Sequence, residues 1–118
     1  MIDRNSIRRL YETVGSDTAS LLEMFDCFFE ETPTLVQQIA SSAHSGEHDV
    51  LRRCAHSLKS NARDFGACGL ADLCARLEQD LRQGAALPDA EARAALIVAE
   101  WQKAEVSLRE IASEWEAL

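Results

Sequence analysis

The residue best suited to chemistry in this sequence is His56, which lies in a short basic stretch of an acidic chain. The chain has 20 acidic residues against 12 Lys and Arg, yet residues 51–63 contain four cations and no carboxylate. At about 100° per helical residue, five polar neighbours lie within about 60° of His56: Arg52, Arg53, Lys59, Ser60 and Arg63. The pattern predicts an exposed histidine in a cationic stripe.

An imidazole is a nucleophile when one ring nitrogen is unprotonated, and neighbouring cations disfavour the addition of a second proton. Arg52, Lys59 and Arg63 would also attract an anion to His56, and a phosphoryl group fits best. Ser60 is small, so it leaves the outward side of the ring open to the active site of another protein. The stripe therefore favours phosphoryl chemistry on the histidine.

The opposite face of the same helix is apolar and predicts a buried seam, formed by Val50, Leu51, Cys54, Leu58, Ala62 and Phe65. Gly66 and Gly69 are spaced to end this helix and begin another. The next segment has a seam of its own, formed by Leu70, Leu73, Cys74, Leu77 and Leu81. The two segments predict a tight antiparallel hairpin.

The hairpin places a carboxylate opposite the histidine. With the turn centred near Ala67, His56 faces the region of Glu78, because each is eleven residues from the centre. A hydrogen bond from Nδ1 to Glu78 would fix the ring and leave Nε2 as the attacking atom. We treat this bond as a hypothesis for the structure to test.

The rest of the chain is also predicted to be helical, since it has only two prolines and five glycines and is rich in Ala, Leu, Glu and Arg. Residues 1–15 form a short helix capped by Asp3, which we expect to cover the bundle rather than join its core. Residues 17–45 form one bent helix or two, because Thr32-Pro33 interrupts the pattern. The last helix begins at Pro88 and is expected to be the longest. The sequence thus predicts a single all-α domain over residues 1–118, with a helical bundle from residue 17 to 118.

Composition excludes several other classes. A net charge of -8 argues against nucleic-acid binding, and the absence of a long apolar run argues against membrane insertion. The N-terminal residues Met1-Ile2-Asp3-Arg4 lack the apolar stretch of a secretion signal, so we expect a cytoplasmic protein. We expect no metal site, because His44 and His48 flank a turn and no ligand cluster is evident. Cys27, Cys54 and Cys74 fall on apolar faces, which predicts buried reduced thiols.

An apolar patch beside the histidine is also expected. Phe25, Phe28 and Phe29 cannot all face one narrow seam, so one of them or Met24 is left for a docking surface. A transient partner would use such a patch.

The run from Ala55 to Ala67, Ala-His-Ser-Leu-Lys-Ser-Asn-Ala-Arg-Asp-Phe-Gly-Ala, followed by Leu70, Leu73-Cys74 and Leu77-Glu78, resembles the signature of histidine-containing phosphotransfer (HPt) domains. The likeness extends more loosely over nearly the whole chain, including Phe-Phe-Glu-Glu-Thr-Pro at 28–33. It implies an antiparallel four-helix bundle with a short extra N-terminal helix and a phosphorylatable histidine exposed midway along one helix.

The resemblance also implies a function. His56 would accept a phosphoryl group from an aspartyl phosphate on a receiver domain and pass it to the aspartate of another receiver, in a multistep two-component phosphorelay. The partners would be response regulators or hybrid histidine kinases, and the receiver would supply Mg²⁺ and most of the catalytic groups. The chain itself would be a monomeric phosphocarrier, not an enzyme, and would have no cofactor of its own. Lys59 matches the family's phosphate-side lysine, and Glu78 matches a position whose polar side chain commonly contacts the histidine region.

Two positions depart from the family pattern. Ser60 stands where glycine is common, and Arg63 stands where a small residue is usual. Arg63 is expected to contact the phosphoryl group or a partner, although a salt bridge to Asp49 or Asp64 and a solvated side chain remain open. The alternative function is a helical adaptor that binds a receiver or kinase without carrying phosphate; a four-helix enzyme or metal protein is a second alternative that lacks a ligand set.

Overall fold

The structure, a computed structural model that describes residues 1–84 and 86–118, contains five helices and no strand in those residues. The helices are α1 (Arg4–Thr13), α2 (Thr18–Ser45), α3 (His48–Asp64), α4 (Cys68–Arg82) and α5 (Ala90–Glu116). The all-α prediction is confirmed. No helix in the described residues is both long enough and apolar enough to span a membrane.

Helices α2 to α5 form the bundle. Helix α3 packs on α4 and on α2, and α5 closes the bundle against both α2 and α4. Residues 46–47 connect α2 to α3 and residues 65–67 connect α3 to α4, and such short connections require antiparallel neighbours. The predicted hairpin of α3 and α4 is therefore present, and it is the element that carries the candidate site.

An aromatic cluster joins three of the bundle helices. The Phe28 ring on α2 stacks on Phe65 at the end of α3, with centroids 4.2 Å apart, and meets Trp101 on α5 edge-on at 5.5 Å. Phe25 contacts the same Phe65 ring at 5.3 Å. Aromatic pairs add about 0.5–1.5 kcal/mol beyond their buried area, so this cluster fixes the position of α3 at the end that follows His56.

Helix α2 is continuous through Pro33, which answers the question that the sequence left open. Proline removes one backbone N–H from the helix ladder, but the buried face continues across it with Phe28 before and Val36 and Ile39 after. Burial of this face keeps the two halves in line. As a result α2 has 28 residues and α5 has 27, so the prediction that the last helix is the longest is wrong.

Helix α1 is tied to the hairpin turn. The Asp3 side chain caps α1 by accepting from the Asn5 N–H at 3.0 Å, while the Asp3 N–H donates to the Gly66 carbonyl at 2.8 Å. Gly66 has a φ of 73°, and a Cβ there would lie 2.3 Å from the Asp3 carbonyl oxygen, so only glycine permits this approach. Ile7 of α1 is 1% exposed within the main core, so the expectation that α1 stays outside the core is wrong.

Two of the three cysteines predicted to be buried are buried, Cys54 and Cys74, whereas Cys27 is exposed. Phe25 and Phe28 turn their common face of α2 to the core, and position 27 lies about 100° from Phe28 on a helix. The wide apolar face of α2 therefore reaches the surface at Cys27.

Candidate functional site

The site centres on Glu78, a buried carboxylate that contacts three cationic or ionisable side chains. Its Oε2 atom lies 2.7 Å from His56 Nδ1 and 2.9 Å from an Arg82 guanidinium nitrogen. Its Oε1 atom lies 2.5 Å from Lys59 Nζ. The Glu78 side chain is 4% exposed, against 53% for His56. A buried acceptor thus holds a histidine whose ring reaches the surface.

The hairpin explains why these side chains meet. His56 and Lys59 are three residues apart on α3, so they lie on one face of that helix, and Glu78 and Arg82 have the corresponding i,i+4 spacing on α4. The antiparallel turn brings the two faces level. The contact between His56 and Glu78 that the hairpin count predicts is present in the structure.

The Glu78 carboxylate is ionised at neutral pH. Burial alone would raise the pKa of Glu78, but hydrogen bonds from Lys59 and His56, together with their charges, lower it below its usual value. An ionised carboxylate only accepts hydrogen bonds, so the proton of the His56–Glu78 bond belongs to Nδ1. A neutral ring then has its lone pair on Nε2, on the far side from Glu78.

Lys59 is held on Glu78 rather than extended into solvent, and its side chain is 16% exposed. From the sequence, Lys59 was expected to contact the phosphoryl group, and its contact with Glu78 was not predicted. An ammonium has three donors, and the structure uses one of them for the carboxylate.

Arg82 was missed by sequence reasoning. Its guanidinium shares Oε2 of Glu78 with His56, and its side chain is 56% exposed. A Glu followed four residues later by an Arg is a recognised helical pair, so the signal was present in the sequence. It was overlooked because only the cations of the His56 helix were considered.

The other predicted phosphate- or partner-binding residues lie on the same side of α3 as His56, but none forms a hydrogen bond or salt bridge with it in the described residues. Arg53, Ser60 and Arg63 are exposed and Arg52 is half-buried. Salt bridges join none of the three arginines to an acidic residue in the part of the chain that the structure describes. The alternative that Arg63 pairs with Asp49 or Asp64 is therefore wrong.

The predicted apolar patch falls at the end of α3 rather than at His56. Met24, Cys27, Phe28 and Phe65 line a groove of 450 Å³ between α2 and α3, which reaches Asn61 but not the histidine. Phe29 does not join it, because the Arg109 guanidinium of α5 lies 4.2 Å from the Phe29 ring centroid.

Other reactive groups in the described residues are poor candidates for chemistry. Burial, with a further contribution from the Glu78 charge, raises the pKa of the Cys74 thiol to about 12, so the thiol is neutral and a weak nucleophile. His44 lies in the last turn of α2, not in a loop, and its Nδ1 is 3.2 Å from Glu91. Within residues 1–84 and 86–118 no three His, Cys, Asp or Glu side chains are grouped closely enough to hold a metal ion.

Three kinds of comparison, with sequences, with solved structures and with family models, relate this chain to known proteins. The chain is 25% identical over 97 residues to the phosphorelay protein LuxU of Vibrio vulnificus, a match that covers 82% of this chain and 83% of the relative. The fold is similar to that of the histidine-containing phosphotransfer protein B (HptB) of Pseudomonas aeruginosa, with a TM-score of 0.83, 22% identity and coverage of 96% of this chain and 95% of the other.

The Hpt domain of a sensor hybrid histidine kinase from Shewanella has the same fold, with a TM-score of 0.76, 18% identity and 92% coverage of both chains. The model of the Hpt domain family matches residues 23–117, which include α3, α4 and the whole Glu78 cluster. The chain therefore belongs to the Hpt domain family.

Proposed function

We propose that His56 is the residue phosphorylated in this domain and that Nε2 is the atom that carries the phosphoryl group. Histidine phosphotransfer in a two-component phosphorelay is the function of the domain; the proposal concerns the residues that perform it. The observation that carries it is the 2.7 Å contact from His56 Nδ1 to the buried Glu78 carboxylate, which directs Nε2 away from the carboxylate on a half-exposed ring.

The transfer step follows from this geometry. The Nε2 lone pair attacks the phosphorus of an aspartyl phosphate on a receiver domain, so that an N–P bond forms and the P–O bond to the aspartate breaks. The bonding electrons leave with the aspartate carboxylate. The Nδ1 proton stays in place, and the Glu78 carboxylate balances the positive charge that develops on the ring. The onward transfer to a second receiver is the same step in reverse.

The cations around His56 are proposed to assist in different ways. Lys59 has two ammonium donors beyond the one on Glu78, and these are suited to the oxygens of a phosphoryl group on Nε2. Arg52 and Arg53 raise the local positive potential that attracts the phosphorylated partner. Ser60, one turn along α3, keeps that approach open.

We further propose that the partners are receiver domains of response regulators or hybrid kinases, met by a monomeric carrier in the cytoplasm. The aspartate and the Mg²⁺ would belong to the receiver, so that the domain serves as a phosphocarrier and not as an enzyme. The net charge of -8 supports transient contact through the one basic stripe instead of a broad basic surface.

The test uses a receiver domain charged with acetyl phosphate and compares the wild type with His56→Gln. We expect label on the wild type only, and the label should be acid-labile and base-stable, as a phosphohistidine is. Glutamine keeps the size and polarity of the side chain, and circular dichroism of both proteins controls for folding. Binding of the receiver with no transfer of label to the wild type would favour the adaptor function and overturn the proposal.

A further inference from the structure

A second basic site lies beside the first, between α1 and α3. Arg9 of α1 and Arg63 of α3 line one cleft of 290 Å³, together with Ser6, Leu10, Thr13 and Asp64. Neither arginine forms a salt bridge within the described residues, and the Asp64 carboxylate in the cleft wall pairs with neither of them. Two arginines and one carboxylate therefore line the cleft, and their side chains carry a net charge of +1.

The fold fixes the position of one arginine in the cleft, because Arg9 is hydrogen-bonded to a buried side chain. The Arg9 guanidinium donates to Ser6 Oγ at 3.1 Å, and Ser6 is only 7% exposed. This bond spans three residues of α1, whose Ile7 side chain is in the core. A guanidinium fixed in this way loses little further freedom when it binds an anion.

The cleft lies close enough to His56 to be covered by a receiver domain that docks on the histidine. Arg63 lies seven residues after His56, which is about two helical turns or about 10.5 Å along α3 on nearly the same face. A protein interface of standard size buries about 800 Å² on each partner, equivalent to a disc of about 16 Å radius. A receiver centred on His56 therefore covers Arg63 and the mouth of the cleft.

We propose that the Arg9–Arg63 cleft binds an aspartate or glutamate side chain of the docked receiver, so that α1 and the end of α3 select the partner. The inference rests on the proposed function of His56. Asp64 can balance only one of the two arginines, so covering the cleft would bury one unpaired positive charge, which is unfavourable because that charge loses its hydration. A partner carboxylate in the cleft replaces that hydration, and a partner without one is rejected.

The test compares two phosphoryl donors on the same variants. A receiver domain is chosen from a panel by its ability to label the wild type after charging with acetyl phosphate, and phosphoramidate serves as a small donor that needs no docking. The variants are Arg9→Ala and Arg63→Ala. Arg8→Ala is the matched control, since it removes the same charge from an exposed position of α1 that does not line the cleft.

We expect the ratio of receiver-driven to phosphoramidate-driven labelling to fall about tenfold in each cleft variant, as for the loss of one paired interfacial charge. The Arg8→Ala ratio should stay within about twofold of the wild type. An equal fall of this ratio in all three variants would indicate a general charge effect and would overturn the proposed role of the cleft. A parallel loss with both donors in Arg63→Ala would assign Arg63 to the phosphoryl group and overturn it as well.

Failure of the underlying function is distinguishable from failure of the cleft. If neither phosphoramidate nor any receiver of the panel labels the wild type, or if His56→Gln is labelled as strongly as the wild type, both proposals fall together. If both donors label the wild type and the cleft variants keep the wild-type ratio, only the cleft is wrong. Thermal unfolding of each variant shows that the comparison is made between folded proteins.

Discussion

Two groups of basic side chains lie along the same side of this domain, and they differ in whether an acidic residue of the fold pairs with them. At the Glu78 cluster, Lys59, Arg82 and His56 all meet one buried carboxylate. At the Arg9–Arg63 cleft, two arginines line a cavity with Asp64, and neither forms a salt bridge in the described residues. Charge that is neutralised inside the fold fixes the geometry of a reactive group. Charge that is left unneutralised is available to another molecule.

Removal of the Glu78 carboxylate should have the largest effect on phosphotransfer and stability, because His56, Lys59 and Arg82 all contact it. Glu78→Ala leaves Lys59 without its partner and His56 without an acceptor, so we expect phosphotransfer to fall about 10- to 100-fold. The free energy of unfolding should fall by about 3 kcal/mol, the cost of breaking a buried ion pair. Stopped-flow or quench-flow transfer from a charged receiver and urea denaturation measure the two effects.

Glu78→Gln is the matched control, because the amide oxygen can still accept from Nδ1 while the charge is gone. Its transfer rate should lie between those of the wild type and Glu78→Ala. If both variants transfer at the wild-type rate, Glu78 does not position the ring.

The stability supplied by Glu78 should depend on pH in a defined direction. Since the pKa of Glu78 is lowered in the folded protein below the ordinary value of 4.5, its contribution is complete above about pH 4.5 and is lost as the pH falls through the folded pKa. Urea denaturation of wild type and Glu78→Gln from pH 7 down to pH 3 should show the stability difference shrinking below pH 4.5. A difference that stays constant over this range would contradict the ionised carboxylate.

Arg82, the most exposed of the three partners of Glu78, should matter much less than the buried carboxylate itself. Arg82→Ala removes one of three partners of Glu78, and the arginine side chain is 56% exposed. We expect a loss of less than about 1 kcal/mol in unfolding free energy and about a twofold change in transfer rate. Arg76→Ala, on the same helix and without an ion pair in the described residues, is the control. A loss as large as that of Glu78→Ala would remove the distinction between buried and exposed partners.

The smallest effect on stability is expected for a substitution in the Arg9–Arg63 cleft. Because Arg63 is exposed and unpaired in the described residues, Arg63→Ala should change the unfolding free energy by no more than about 0.5 kcal/mol. Thermal and urea denaturation at low and moderate salt check this expectation. A clear destabilisation would mean that Arg63 has an intramolecular role, and the contrast between the two groups would fail.

The sequence was sufficient for the geometry that follows from helical periodicity. The apolar face of α3, the hairpin and the approach of Glu78 to His56 depend on spacing alone, and all are present. Pro33 was ambiguous because local preference and packing oppose each other there. Packing of Val36 and Ile39 decides the outcome, and no single stretch of sequence contains that information.

The remaining differences between prediction and structure concern the contacts made by the ends of long side chains and the orientation of helices about their own axes. The contact of Lys59 with Glu78 joins two helices, so it could be predicted only from the arrangement of α3 and α4, whereas the Glu78–Arg82 pair has an i,i+4 spacing that the sequence already contains. Cys27 is exposed because α2 is rotated to bury Phe25 and Phe28. The roles of Lys59, Arg63 and the other cations remain predictions for the experiments above.

The hydrogen bond from the Asp3 N–H to the Gly66 carbonyl bears on how the partner preference of such a carrier can evolve. Helix α1 is anchored to the hairpin turn through its backbone and through Ile7, while most of its other side chains point outward. If the Arg9–Arg63 cleft selects the receiver as we propose, substitutions on that outward surface change which receiver is accepted while the histidine, its carboxylate and the bundle are left intact. After gene duplication, two copies of this domain could therefore become insulated from each other's signals by changes within the first 15 residues.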